Sequence, residues 1–188
     1  MPDFNIFILS GGESRRMKKD KSLMLFDGKS MTQHLVDRFR RFNQEIFIIS
    51  NNKSHECFGV PVIEDNYKNC GPIGGIEAGL SFSKIERNIF LSCDSPFIEH
   101  SLIEYLNSNS SKSEIIFTKD KIPHPFPGLY SKSIHNKLKT LIPKGLRKMT
   151  DLKNYFNVTQ LDCSHFNNNN FINFNTPEDI KYWNENNA

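Results

Sequence analysis

Three short apolar runs stand out along the chain: Asn5–Leu9 (NIFIL), Glu45–Ile49 (EIFII) and Asn88–Cys93 (NIFLSC). Within each, apolar residues follow one another instead of alternating with polar ones. That pattern suits strands of a parallel sheet covered on both faces. Pro61–Ile63, Ile115–Thr118 and Val158–Leu161 are weaker strand candidates. Between the strands the period becomes helical. Ser30 and Gln33 have capping-box spacing, and Met31, Leu35, Val36 and Phe39 then form one apolar stripe. Ser101 with Glu104 repeats the box before Leu102, Ile103 and Leu106. Thr176-Pro177-Glu178-Asp179 sets out a cap, a proline at the first helical position and acids in the first turn. Strands alternating with helices predict a doubly wound α/β layer. No repeat or linker interrupts it, so residues 1–188 are expected to form a single domain, with Asn167–Asn170 as a solvated loop tip.

Composition narrows the class. A chain of 188 residues can bury a core without disulfide or metal staples. Sixteen Phe need somewhere to be buried, which argues against disorder. The net charge of +3 is too small for a general nucleic-acid binder. The first apolar run, Phe4–Leu9, is too short to span a bilayer and lacks the basic flank and cleavage site of a signal peptide. No membrane partner is expected. Cys57, Cys70, Cys93 and Cys163 form no C-x-x-C pair, which suits reduced thiols in the cytoplasm better than a zinc site.

The chemistry concentrates after the first strand, in Leu9-Ser10-Gly11-Gly12-Glu13-Ser14-Arg15-Arg16-Met17-Lys18-Lys19-Asp20-Lys21. A parallel α/β sheet binds ligands at the carboxyl ends of its strands. Paired glycines let backbone N–H groups come close to a phosphate. Arg15, Arg16, Lys18, Lys19 and Lys21 add five cations within seven residues. The loop therefore suits a polyphosphate, although a basic surface loop after a Gly-Gly turn would have the same composition. Two common phosphate motifs fail. Gly28-Lys29-Ser30 resembles a P-loop tail, but Leu23 stands where the leading Gly belongs. The dinucleotide pattern G-x-G-x-x-G is absent.

Leu-Ser-Gly-Gly, Ser-Arg-Arg-Met and Asp-Lys in this loop resemble the L-[AS]-G-G-x-S-x-R-M-G-x-D-K signature of the molybdenum cofactor guanylyltransferases, with Lys18 where that family usually has Gly. The resemblance implies an α/β fold: a Rossmann-like three-layer sandwich with a mostly parallel central sheet, of the glycosyltransferase-A-like nucleotidyltransferase type. It runs on through most of the chain. Val62-Ile63-Glu64-Asp65 is similar to a V-x-x-D element whose Asp recognises guanine. A carboxylate can accept from the guanine N1–H and amine, which adenine cannot supply; by itself Asp65 would read as a solvated loop acid. Gly71-Pro72-Ile73-Gly74-Gly75-Ile76 resembles G-P-L-A-G and opens a small-residue helix to about Leu80. Its bare N-terminus would face the nucleotide, or the glycines would pack tightly on the sheet.

Cys93-Asp94-Ser95-Pro96-Phe97-Ile98 looks like the family's [CS]-D-x-P-x-[IL]. An Asp at a strand end suits Mg²⁺, which often takes one or two carboxylates plus phosphates; the competing role is an Asx turn. His124-Pro125-Phe126-Pro127-Gly128-Leu129-Tyr130 resembles a segment expected to wall the acceptor pocket without proton transfer. Phe171-Ile172-Asn173-Phe174-Asn175-Thr176-Pro177-Glu178 resembles F-x-N-x-N-T-P-E on the pterin side, with Asn173 and Asn175 alternating along a strand to bind the acceptor. Alternatively, Asn175 and Thr176 only cap the last helix.

The resemblance implies transfer of GMP from GTP to the molybdopterin-bound molybdenum cofactor, with release of pyrophosphate. Asp94 would hold Mg²⁺ and contact the nucleotide. Arg16 and Lys21 would hold the β- and γ-phosphates, Leu9, Ser10, Gly11 and Gly12 would line the nucleotide through their backbone, and Asp65 would select the base. GTP and the molybdopterin cofactor are the expected substrates, with cofactor-delivery or acceptor proteins as partners. Two alternatives stay open: a cytidylyltransferase on the same cofactor, whose first loop tends to read L-A-A-G, and a non-catalytic module that binds cofactor or nucleotide.

Overall fold

The computed structural model describes residues 3–10, 21–42, 44–110 and 113–187, with the side chains of Lys21 and Asn187 excepted. In chain order the elements are β1 (Asn5–Leu9), β2 (Leu25–Phe26), β3 (Lys29–Ser30), α1 (Met31–Phe39), β4 (Glu45–Ile49), β5 (Val62–Ile63) and α2 (Gly71–Phe82). There follow β6 (Arg87–Ser92), α3 (His100–Ser108), β7 (Ile115–Lys119), β8 (Pro123–Ser131), α4 (His135–Leu141), β9 (Val158–Asp162) and α5 (Pro177–Asn187). The central sheet has the order β5-β4-β1-β6-β8-β7-β9. All its neighbours pair in parallel except where β8 enters antiparallel between β6 and β7. This is the expected mostly parallel α/β sandwich.

Continuous apolar runs serve both faces because successive side chains point to opposite sides. On one face Phe7, Phe47 and Phe90, which are partners in the strand register, stack at 5.1 and 4.9 Å between ring centroids. This row meets Ile73, Ile76 and Leu80 of α2 and Leu138 of α4. On the other face Ile6, Ile8, Ile46, Ile48, Ile89 and Leu91 meet Leu35, Val36 and Phe39 of α1 and Ile103 and Leu106 of α3. Gly79 lets α2 sit directly on the phenylalanine row, since a Cβ there would lie 2.8 Å from the Phe90 ring. Phe174 and Ile180 pack with Met31, Phe26, Phe97 and Trp183 in a separate cluster that seats α5 beside the β2–β3 hairpin.

Ser30 caps α1 as expected, accepting from Gln33 N at 3.2 Å. The second proposed box does not form. Helix α3 starts at His100 with Glu99 as cap, and Ser101 lies inside it with its hydroxyl donating to Glu99 at 3.3 Å. The β2–β3 hairpin, β8 and the short helix α4 lacked a sequence prediction. Asp27 and Gly28, both with positive φ (48° and 73°), form the two-residue turn of the β2–β3 hairpin. Strand β8 contains Pro123, Pro125 and Pro127, which ordinarily argue against a central strand. Only Gly128–Ser131 pairs with β6, and the sheet register shifts at Phe117/Thr118, where the prolines fall.

Candidate nucleotide-binding site

Because β1, β4, β5 and β6 run parallel, their carboxyl ends share one edge. Main-chain bonds carry the ladder past the strand ends: Ser10 N donates to Ile49 O at 3.0 Å, Ser50 N to Ile63 O at 2.9 Å and Cys93 N to Leu9 O at 3.2 Å. Leu9 and Ser10 thus stand at this edge with their backbone fixed. The Ser10 hydroxyl lies 3.0 Å from Thr32 Oγ1. The candidates Gly11, Gly12 and Arg16 lie outside the described residues. Lys21 heads a 3₁₀ turn, Lys21–Leu23, and its side chain is also outside the described part.

Asp65 follows β5 at the same edge. Asn51 grips it through a reciprocal pair, Asp65 N to Asn51 Oδ1 and Asn51 Nδ2 to Asp65 Oδ2, each at 3.1 Å. Beneath lies Gly75 of α2, where a Cβ would come 2.7 Å from Leu9 Cδ2 and 3.6 Å from Asp65 Oδ1. Glycine therefore lets the helix close on the end of β1 with the carboxylate above it. Burial pushes the Asp65 carboxyl above the usual carboxylate range; the Asn51 bond pulls it down and the Glu77 charge adds to the rise. Asp65 is thus an oriented, half-buried acceptor and not a solvated loop acid. Asn66, next in the chain, donates to Glu77 at 3.0 Å, and Glu77 is buried against His135 at 2.9 Å. Helix α2 begins at Gly71 with φ +58° and no side-chain cap from Cys70. Its first turn therefore has no side-chain cap, and Gly75 and Gly79 pack on the sheet, as the close-packing reading of this motif expects.

Asp94 turns off the end of β6, half-buried, with its carbonyl accepting from Phe174 N at 2.8 Å. Its carboxylate makes no Asx turn. Such a turn draws on the N–H two residues on, and Pro96 has none. Ser95 Oγ lies 3.4 Å from Asp94 Oδ1 but 2.5 Å from Asn173 Oδ1, so its single proton goes to Asn173. Among the described residues the Asp94 carboxylate keeps only this long contact. Among the described residues no three or more His, Cys, Asp or Glu side chains converge. A lone hard carboxylate at the carboxyl edge of the sheet fits Mg²⁺, which often takes one or two carboxylates and completes its shell with phosphate and water.

The strand expected through Asn173 and Asn175 does not form. Residues 168–171 make a 3₁₀ turn, and 172–176 continue outside any strand. Apart from the main-chain bond from Phe174 N to Asp94 O, side-chain bonds hold it there. Asn173 accepts from Ser95, and Asn170 Oδ1 accepts from Glu99 N at 2.7 Å. Asn167 and Asn168 are exposed as expected of a solvated loop tip and Asn169 is half-buried, but Asn170, which ends the run, is fully buried. Asn175 N and Thr176 N donate to Asp179 Oδ2 at 2.7 and 2.8 Å, and Asp179 N donates back to Thr176 Oγ1 at 3.2 Å. That is a capping box, so the capping role of this segment is real. His124 stands beside it, stacked on Phe171 at 4.9 Å and bonded to Asp120 at 2.9 Å. Burial alone would raise the Asp120 carboxyl, but the Ile122 N–H, His124 and the Lys121 N–H hold it at about 2. Asn51, Glu77 and Asn170 carried no sequence signal, because each acts on a partner distant in the chain.

Residues 6–158 match the family described as MobA-like NTP transferase domain. The molybdenum cofactor guanylyltransferase of Vibrio campbellii is 34% identical over 179 residues, covering 92% of this chain and 91% of that one. The enzyme of the same name from Yersinia pseudotuberculosis is 30% identical over 187 residues, covering 97% and 95%. The crystal structure of molybdopterin-guanine dinucleotide biosynthesis protein A from Archaeoglobus fulgidus superposes with a TM-score of 0.83 at 22% identity, covering 96% of this chain and 97% of that one; the likeness is one of fold. No helix among the described residues is long and apolar enough to cross a membrane.

Proposed function

The chain belongs to the MobA-like NTP transferase family, and from that premise we propose that it transfers GMP from GTP to the molybdopterin-bound molybdenum cofactor, releasing pyrophosphate. The observation that carries the reading is the shared edge where Leu9–Ser10, Asp65, the bare end of α2 and Asp94 meet. An acceptor phosphate oxygen attacks the α-phosphorus in line. It is already anionic, so no strong general base is required, and catalysis rests on positioning and charge neutralisation. Leu9, Ser10, Gly11 and Gly12 line the nucleotide through their backbone, and Asp65 takes the guanine N–H donors. Arg16 and Lys21 hold the β- and γ-phosphates and the departing pyrophosphate. Asp94 would hold Mg²⁺, which supplies charge neutralisation on the phosphates. Asn173, its Oδ1 engaged by Ser95, keeps an NH₂ donor for the acceptor, with Asn175 alongside.

In this reading residues 1–188 act as one nucleotidyltransferase domain in the cytoplasm, and cofactor-delivery or acceptor proteins are its protein partners. The test is pyrophosphate release with GTP and acceptor in Mg²⁺, together with melting curves in each nucleotide. A ligand of the native state raises the melting temperature. GTP is expected to raise it more than CTP or ATP at equal concentration. A larger shift with CTP would transfer the assignment to a cytidylyltransferase, and nucleotide binding without pyrophosphate release would make the chain a binding module.

A further inference from the structure

Behind the edge lies a buried polar chain that the assignments above leave unused. His55, on the 3₁₀ turn Lys53–Phe58 after β4, is 0% exposed. Its Nε2 lies 2.6 Å from Ser22 Oγ and its Nδ1 2.5 Å from Ser50 Oγ. Both serines are buried. Ser50 Oγ also accepts from Asn52 N at 3.0 Å, and the imidazole lies over the Phe58 ring at 5.7 Å. A neutral imidazole has one donor and one acceptor nitrogen, so both of its ring atoms are engaged in a fixed orientation.

A buried, bonded histidine is often only a satisfied core residue. Here its two partners give it a position in the site. Ser50 is the first residue past β4, and its N–H extends the ladder to β5 at the ligand edge. Ser22 follows Lys21 directly, within the Lys21–Leu23 turn. The imidazole therefore ties the turn that carries Lys21 to the strand end that frames the nucleotide. A long cationic side chain reaches a phosphate productively only if its backbone is fixed, and a displacement of about 1 Å can cost about 10²-fold in rate.

We propose that His55 is a positioning residue for Lys21, setting the Lys21–Leu23 turn against the end of β4 through Ser22. The proposal rests on the reading of Lys21 as a triphosphate-binding residue. Two variants probe it. His55→Phe keeps the ring against Phe58 and removes both bonds, whereas Ser22→Ala removes one hydroxyl and leaves the histidine in place. Each is assayed by GTP- and acceptor-dependent pyrophosphate release, alone and combined with Lys21→Ala. His55→Phe is expected to lower kcat about tenfold with little change in the KM for GTP, the pattern of an interaction lost in the transition state. Ser22→Ala should fall in the same direction by less. In the Lys21→Ala background both changes should cost under about twofold, because the group they position is gone. A merely structural role would give the same fold-loss in both backgrounds, and that result overturns the proposal. Normal kcat in both His55→Phe and Ser22→Ala, with Lys21→Ala inactive, overturns the positioning role alone. Near-normal turnover by Lys21→Ala overturns the reading of Lys21, and the proposal with it.

Discussion

Replacing Asp94 by Asn removes one negative charge and almost nothing else. The side chain keeps its shape, and the bond from Phe174 N goes to the main-chain carbonyl, which stays. The carboxylate's contact with Ser95 is 3.4 Å long, and that hydroxyl's proton is already given to Asn173. No buried hydrogen bond is lost, so stability should change by less than about 0.5 kcal/mol, about 1–2 °C in melting temperature for a chain of this size. Turnover should behave differently. Losing one preorganised charge-stabilising group costs about 10²–10³-fold in kcat. The Mg²⁺ concentration for half-maximal rate should rise as well, because a neutral amide is a poorer ligand for a hard cation. The assay is pyrophosphate release over a Mg²⁺ titration at saturating GTP and acceptor, with a melting curve on the same preparation. Ser95→Ala is the contrasting control. It deletes a buried hydroxyl bonded to Asn173 and should cost about 1 kcal/mol of stability without raising the Mg²⁺ requirement. Normal turnover of Asp94→Asn at ordinary Mg²⁺ would refute the metal role, and Glu64 or Asp65 would then be the acids to test. A large loss of melting temperature would refute the claim that the carboxylate has no structural duty.

Lys21→Ala should lower turnover by about 10²-fold or more, while Lys19→Ala should cost little; equal losses would indicate a diffuse electrostatic patch. Asp65 must be ionised to accept from guanine, and burial raises its carboxyl, so GTP affinity should weaken as pH falls through a range above that of an ordinary carboxylate. Asp65→Asn should bind GTP weakly at every pH with an unchanged Mg²⁺ requirement, and a surviving acid limb in that variant would contradict the assignment. Asn170→Ala leaves the Glu99 N–H without its acceptor and should cost about 1–3 kcal/mol in chemical denaturation, against no change if solvent replaces the bond.

The parts of the fold legible in the sequence were those in which local pattern and burial agree. NIFIL and EIFII are apolar at nearly every position because both faces of those strands are covered, and the strands begin and end where the runs do. Helix α1 follows its cap and stripe for the same reason. Strand β8 was not legible, because its prolines mark an irregular stretch: its ladder to β6 is confined to Gly128–Ser131, and its ladder to β7 breaks between His124 and Gly128. The Asp27-Gly28 turn was hidden differently. An Asp-Gly pair between strands is a hairpin signal, but strands of two residues each, Leu25–Phe26 and Lys29–Ser30, are too short to show an alternating pattern. Ser101 had the spacing of a cap without the position: the cap is Glu99, whose N–H is held by Asn170, so the helix starts two residues earlier.

The site divides along the same line. The residues proposed for a direct chemical task, such as Asp65 and Asp94, sit at strand ends, where topology places them at one edge of the sheet. The residues that orient them act across gaps that no local pattern spans: Asn51 on Asp65, Ser95 on Asn173, Asn170 on Glu99. The two halves of the edge are held in different ways as a result. On the nucleotide side, main-chain bonds continue the parallel ladder through Ser10, Ser50 and Cys93, and any residue type can make them. The 172–176 segment has no strand pairing; one main-chain bond from Phe174 N to Asp94 O, the Asn173 side chain and one capping box fix it. A ladder survives most substitutions, whereas a bond from a particular amide does not. The asparagine at 173 is therefore demanded by the fold itself, through its carbonyl on Ser95, whatever its NH₂ is proposed to bind.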